Sequence, residues 1–176
     1  MFDAESQIVI RPFAQSDAAG VRDLFVRVNR LLAPADLKET FEGYIVCSLA
    51  EEIDRITDYY GERRGSFWVA VAGKEIAGMF GLEGLLAPDT MELRRMYVDP
   101  DARRRGIARK MLKFSEDECR RNNIRHLDLS TSELQSEALS LYRNNGYFLV
   151  REEAATAASN KTIGGGIRRY YFTKHL

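Results

Sequence analysis

Residues 99–112 read DPDARRRGIARKML. The string joins two patterns. Ahead of it, MELRRMYV (91–98) is rich in strand-forming residues and is stopped by Pro100. From Gly106 onward, Ile107, Met111, Leu112, Ser115 and Cys119 recur at three-four spacing, the apolar stripe of an amphipathic helix. A strand, a tight arginine-rich turn and a helix make an anion site by simple geometry. The first N–H groups of a helix lack intrahelical partners, and the helix dipole adds partial positive charge there. Gly106 lets the backbone curl so that successive N–H groups converge. Ala108 leaves room at the first turn, and Arg103, Arg104 and Arg105 bring guanidinium groups that fork onto phosphate oxygens. No Gly-Lys pair is followed by Ser or Thr, so a nucleoside-triphosphate loop is excluded. A dinucleotide fingerprint is excluded too, because Gly106 is the lone glycine after the strand. Taken alone, the loop reads equally well as a solvated basic corner.

On the N-terminal side of this string, QIVIRPF (7–13) predicts a first strand, with Ser16 or Asp17 as a helix cap. Val21, Leu24, Phe25, Val28, Leu31 and Leu32 form one helical stripe, broken at Pro34. Residues 36–60 read as a further helix with Ile45, Leu49, Ile53 and Ile56 in a row. SFWVAVAGKEIAGMFGLEGLL (66–86) predicts a hairpin turning at Gly73-Lys74, with further glycines loosening its second strand. On the C-terminal side, IRHLDLST (124–131) alternates as a strand, and SEALSLYRNNG (136–146) predicts a helix closed by Gly146. YFLVRE and IRRYYFTKHL predict two last strands, joined by EAATAASNKTIGGG, small residues of the kind that stay mobile. The order is β-α-α-β-β-β-α-β-α-β-β. It implies an α/β (mixed α+β) fold over residues 1–176, one domain, with a twisted mixed sheet of about six to seven strands and about four helices on its two faces.

Bulk properties narrow the function. The 26 basic and 26 acidic residues cancel, and no basic strip is interleaved with aromatics, so nucleic acid is not an expected partner even through Arg103–Arg105, Arg120, Arg121 and Arg125. Cys47 and Cys119 are far apart and distant from both histidines, which excludes a zinc spacing and predicts buried free thiols. The start MFDAESQIVI lacks the basic and apolar regions of a signal peptide, and no window reaches the ~20 apolar residues of a membrane span. The expectation is a soluble cytoplasmic protein without metal or membrane.

RRRGIA (103–108) is similar to the acyl-CoA pyrophosphate loop of the GNAT acetyltransferase superfamily, which has Gln or Arg, two residues, Gly, one residue, then Gly or Ala. The strand MELRRMYVDP ahead of it also resembles the family's fourth strand. SEALSLYRNNGY resembles the family's later helix, whose tyrosine lies four positions before a glycine. The resemblance covers residues 66–151 and 168–176. SFWVAVAGKEIAG and LSTSELQSEALSLY are similar to the camello-like branch in particular.

The resemblance implies acetyl-CoA as acyl donor, entering a V between the fourth and fifth strands, and a primary amine, on a small molecule or a peptide, as acceptor. Backbone groups of Met96 and Val98 would pair with the pantetheine arm, and residues Arg103, Arg104, Arg105, Gly106, Ile107 and Ala108 would hold the pyrophosphate. Tyr142 would stand against the cofactor's thioester sulfur and protonate the departing thiolate, or at least hydrogen-bond to it. Glu92, eleven residues before Arg103, matches a glutamate that serves as general base in one branch, with Glu83 or a water chain as competitors. Alternation puts Glu92 on the face of Met96 and Val98 unless a bulge intervenes. Arg94 and Arg95 are near enough in sequence to pair with Glu92 instead. Gln135 replaces the asparagine usual seven residues before the tyrosine, and also belongs to the implied cofactor contacts. Acceptor recognition falls to residues 29–60 and 154–166 with Tyr170 and Tyr171, where EEIDR and YYGERR read as solvated clusters or as an amine site. The rival reading is a non-catalytic domain that senses acyl-CoA or binds a partner. The sequence leaves the oligomeric state open, a homodimer being common in the family.

Overall fold

The computed structural model describes residues 7–176; the reading of Met1–Ser6 as free of a signal peptide lies outside the described residues. Strand β1 (Ile8–Pro12) leads through a short 3-10 turn into α1 (Ala18–Leu32) and α2 (Lys38–Glu51). A second 3-10 turn and the six-residue α3 (Ile56–Gly61) precede β2 (Ser66–Ala72), β3 (Glu75–Gly84) and β4 (Thr90–Val98). After the 99–106 turn come α4 (Ile107–Arg121), β5 (His126–Ser132), α5 (Ser136–Asn144), β6 (Phe148–Ala155) and β7 (Ile167–His175). All seven strands join one sheet in the order β1-β2-β3-β4-β5-β7-β6. Every neighbouring pair is antiparallel except β4 and β5, which are parallel because α4 carries the chain back to the sheet's other end.

Alternation divides the strands between two cores. Phe67, Val69 and Val71 of β2 pack under α1–α3 with Val21, Phe25, Phe41 and Ile45. Trp68, Ala70 and Ala72 face the other side, against Ile107, Met111 and Leu112 of α4 and Tyr142 of α5. The α4 stripe read from the sequence is buried throughout.

Several local expectations change. Residues 36–60 are not one helix: the chain leaves helical geometry at Glu52 (φ −137°), although Ile45, Leu49, Ile53 and Ile56 are all buried as one row. Asp17 does not cap α1 forward; its carboxylate reaches back to the Ala14 N–H (2.8 Å) and forks with Arg11. The glycines of β3 do not loosen it. A Cβ at Gly81 would lie 2.4 Å from the Tyr60 ring, so the missing side chain is what seats that tyrosine. Cys119 is buried, but Cys47 is only partly covered, so the expectation of two buried thiols holds for one. The 154–166 stretch is not loose either: Asn160 and Ile163 are each 8% exposed.

Two features of β4 position the site. Its ladder with β5 runs only from Thr90–His126 to Leu93–Leu129, while β4 continues to Val98 and β5 to Ser132. The parallel pair therefore splays into a V beyond Leu93. On the other edge, Gly81 pairs Arg94 and Met79 pairs Tyr97, two steps on β3 against three on β4. The extra residue is a bulge at Arg95, whose φ is +54°.

Candidate active site

The bulge decides which side chains meet. Glu92 and Arg94 face α1–α3; a regular strand would send Arg95 to the other side. With the extra residue, Arg95 also turns toward α1–α3, against Phe25 and Tyr44, while Met96 and Val98 pack toward the α4–α5 core. Glu92 therefore does not share a face with Met96 and Val98, which corrects the alternation argument. Asp99 donates its N–H to Ala77 O on β3 (2.9 Å), so alternation aims the peptide groups of Val98 and Met96 the opposite way, into the V.

One cleft fills the V. Its wall includes Glu92, Met96, Gln135 and Tyr142, which the sequence reading had singled out, together with Thr131 and Arg169, which it had not. Tyr142 is buried on α5, its ring against Tyr147 and Phe172, and burial pushes its pKa above the ordinary tyrosine value against the opposing pull of Arg169. Its hydroxyl is held in the neutral, protonated form. Gln135 sits at the start of α5, its amide oxygen accepting from Thr131 Oγ1 (3.1 Å).

The wall facing α2 is built from buried charge. Glu52, fully buried, accepts from Arg94 Nη2 (2.6 Å), Arg95 Nη2 (2.8 Å) and Tyr60 Oη (2.6 Å). Burial raises its pKa, but Arg95 and Arg94 outweigh that and hold it down at about 2. Asn160 completes the network: its Oδ1 accepts from Arg94 and Arg95, and its carbonyl from Arg95, all at 2.7 Å. Tyr44 Oη accepts from Arg95 Nη1 (2.5 Å). Burial raises the Tyr44 pKa, yet Arg95 and Arg169 bring it below its ordinary value. EEIDR and YYGERR are thus solvated only in part: Glu51, Asp54, Arg55, Glu62 and Arg64 are exposed, while Glu52, Tyr59 and Tyr60 lie inside. Burial and the Glu52 and Glu83 charges, partly opposed by Arg94, push the Tyr59 pKa up to about 12.

The two candidate bases differ in their surroundings. Glu83 is engaged by Arg94 Nε (3.0 Å) and by the Tyr59 hydroxyl (3.1 Å). Glu92 is more open and lies only within 4.0 Å of Arg94; its close partner is Lys161 Nζ at 2.9 Å. The anticipated pairing of Glu92 is made with Arg94 alone and at long range, while Arg95 pairs with Glu52, which also draws Arg94 closer at 2.6 Å.

At the far end of the V, the arginine turn takes the shape expected of an anion cradle. Asp99 Oδ1 accepts from the Asp101 N–H (2.9 Å) and holds the first turn. Arg104 (φ +62°) and Gly106 (φ +72°) are both left-handed, which curls the backbone ahead of α4. Lys110 N–H bonds Gly106 O (3.0 Å), leaving the N–H groups of Ile107, Ala108 and Arg109 as the free donors of the first turn. Arg103 and Arg104 are exposed and Arg105 is partly covered. Among the described residues, no cluster of three or more His, Cys, Asp or Glu is placed to hold a metal ion, and no helix is long and apolar enough to cross a membrane.

A splayed parallel strand pair, a curled arginine turn at the start of α4 and a buried tyrosine on α5 thus lie around one cleft. Residues 33–147 match the acetyltransferase (GNAT) family. The chain belongs to this family. Relatives include the probable N-acetyltransferase 14 of Xenopus tropicalis, 35% identical over 97 residues, which are 54% of this chain and 47% of that protein. Human N-acetyltransferase 8 is 29% identical over 115 residues (62% of this chain, 51% of that one), in keeping with the resemblance to the camello-like branch. The N-acetylaspartate synthetase of Danio rerio is 33% identical over 111 residues, covering 62% and 39%. The chain spans about half the length, or less, of these curated relatives. Among solved structures, a GNAT-family acetyltransferase from Staphylococcus aureus Mu50 superposes with a TM-score of 0.73 at 20% identity, covering 97% and 99% of the two chains. The PaiA N-acetyltransferase of Thermoplasma acidophilum, solved with coenzyme A, does so with 0.72 at 18% identity, over 97% and 99%. These likenesses establish the GNAT fold over the described chain.

Proposed function

We propose that this chain is an acyl-CoA-dependent N-acetyltransferase, one catalytic domain that moves an acetyl group from acetyl-CoA to a primary amine by direct attack. The observation that carries the reading is the end of the β4–β5 ladder at Leu93–Leu129, which opens a cleft bearing Glu92, Met96 and Tyr142. Acetyl-CoA is a substrate here. Its pantetheine amides find the outward peptide groups of Met96 and Val98, in place of a missing strand partner. Its pyrophosphate finds the free N–H groups at the start of α4 and the side chains of Arg103–Arg105. The family membership and the coenzyme A complex of a fold neighbour support this choice of donor.

Chemistry then needs two proton transfers. An amine with a pKa near 10 arrives as ammonium and must lose a proton before it attacks. Glu92 takes that proton, directly or through water, because Glu83 is already engaged by Arg94 and Tyr59. The neutral amine attacks the thioester carbonyl carbon, the C–S bond breaks, and the Tyr142 hydroxyl supplies a proton to the sulfur. A thiolate is an acceptable leaving group, so Tyr142 contributes a modest factor. The rival reading, a domain that only senses acyl-CoA, gives no reason for Tyr142 and Glu92 to face one cleft.

The test is thiol release from acetyl-CoA with a panel of primary amines, free amino acids (aspartate among them) and peptide N-termini. Acetylation of one class, diminished by Tyr142→Phe, supports the assignment. Binding of acetyl-CoA with no turnover on any amine favours the sensing domain.

A further inference from the structure

Lys161 is where no mechanism requires a lysine. Of the six lysines in the chain, it alone lines the cleft with Met96, Gln135 and Tyr142. Its Nζ stands 2.9 Å from Glu92 Oε2 and 3.7 Å from Glu83 Oε1, the place an acceptor ammonium must reach to hand over its proton. The chain on either side is fixed. Asn160 is held by Arg94 and Arg95, while Thr162 bonds Ala157 O (2.9 Å) and is followed by the buried Ile163. The Lys161 side chain itself is 47% exposed, so its four-carbon stem can swing. The segment thus presents a primary amine to the candidate base from anchored backbone. The same lysine and Glu92 also border a second groove, lined by Asp128, Val150, Tyr171 and Thr173 on the helix-free part of the sheet. An acceptor coming along that groove meets Lys161 first.

We propose that Lys161 is a self-acetylation site, the built-in acceptor of this cleft. The inference rests on the transferase reading above. The Lys161 ammonium gives a proton to Glu92; the neutral Nζ attacks the thioester carbonyl of acetyl-CoA; the C–S bond breaks; the coenzyme A thiolate takes the Tyr142 proton. The products are acetyl-lysine at position 161 and free coenzyme A. The acetylated side chain has lost its charge, so its ion pair with Glu92 is gone.

The purified protein is incubated with acetyl-CoA and the acetylation of each lysine followed by peptide mass spectrometry. Intramolecular placement predicts that Lys161 is modified at least about tenfold faster than exposed Lys113, at a rate independent of protein concentration. Glu92→Gln and Tyr142→Phe both bring Lys161 down to the Lys113 rate. The proposal is overturned if Lys161 is no faster than Lys113, if its rate scales with protein concentration, or if neither substitution slows it. Thermal unfolding with acetyl-CoA, run on the native protein and on Lys161→Arg, separates the two claims. Stabilisation without Lys161 modification defeats self-acetylation and leaves acetyl-CoA binding intact. No stabilisation defeats both.

Discussion

The two ends of the V are made of different materials. The arginine turn is built from consecutive residues, uses backbone N–H groups, and leaves Arg103 and Arg104 in solvent. The opposite wall is assembled from side chains far apart in the chain: Glu52 with Arg95 across 43 positions, Arg94 with Asn160 across 66. Its charges are buried. The difference teaches where each end is vulnerable. A backbone cradle tolerates loss of a side chain and is sensitive to its φ angles. A buried ion network tolerates neither loss nor mismatch, because one missing partner strands the others out of water.

The largest expected effect lies in the buried wall. Glu52→Ala leaves two guanidiniums facing each other without their shared anion, a loss of about 3–5 kcal/mol. Thermal unfolding should show a midpoint lower by roughly 10 °C; an unchanged midpoint would break the contrast between the ends. The same carboxylate gives an acid signature. Folding lowers its pKa from 4.5 to about 2, so its stabilisation is complete above pH 4.5 and is lost as pH falls toward 2. In Glu52→Gln that acid-side slope should be shallower, measured by denaturant midpoints across pH 2–6.

Tyr142→Phe comes next, in activity rather than stability. Turnover should fall by no more than about a hundredfold, the low end of general acid catalysis, with acetyl-CoA affinity unchanged. Equal turnover would remove the tyrosine from proton transfer. At the turn, a Cβ at Gly106 meets nothing within 4 Å, so substitution tests the left-handed backbone alone. Gly106→Val should cost about 1–2 kcal/mol there and weaken acetyl-CoA about tenfold, with Gly106→Asn recovering most of it. Arg103→Ala is expected to do least: a few-fold weaker binding, vanishing at high salt, with no change in midpoint. A loss as large as that of Gly106→Val would move the anion site from backbone to side chains.

The same division explains what could be read from the sequence. The α4 stripe and the arginine turn were legible because their residues are contiguous and periodic. So were the β5 alternation and the position of Tyr142 on α5. Glu52 was not, since a glutamate at the end of a helical pattern reads as surface and only the fold brings Arg94 and Arg95 over it. The bulge left no mark either. Arg95 takes a φ of +54° without being glycine, held there by Tyr44, Glu52 and Asn160. That one residue turned Glu92 away from the Met96 face. Arg169 was missed for the same reason, and Asn160 and Lys161 were covered only by the segment 154–166 as a whole, their place in the cleft being set by β7 and the segment before it.

The central claim is that the splayed β4–β5 pair and the turn at α4 form an acetyl-CoA site. The direct measurement is thermal unfolding with acetyl-CoA and with coenzyme A, beside NAD and ATP. At a hundred times its dissociation constant a ligand adds about 2.7 kcal/mol, a midpoint rise of roughly 5–10 °C for a domain of this size. The account predicts that rise for acetyl-CoA and coenzyme A alone, reduced in Gly106→Val. No rise with acetyl-CoA at millimolar concentration, or an equal rise with NAD or ATP, would contradict it.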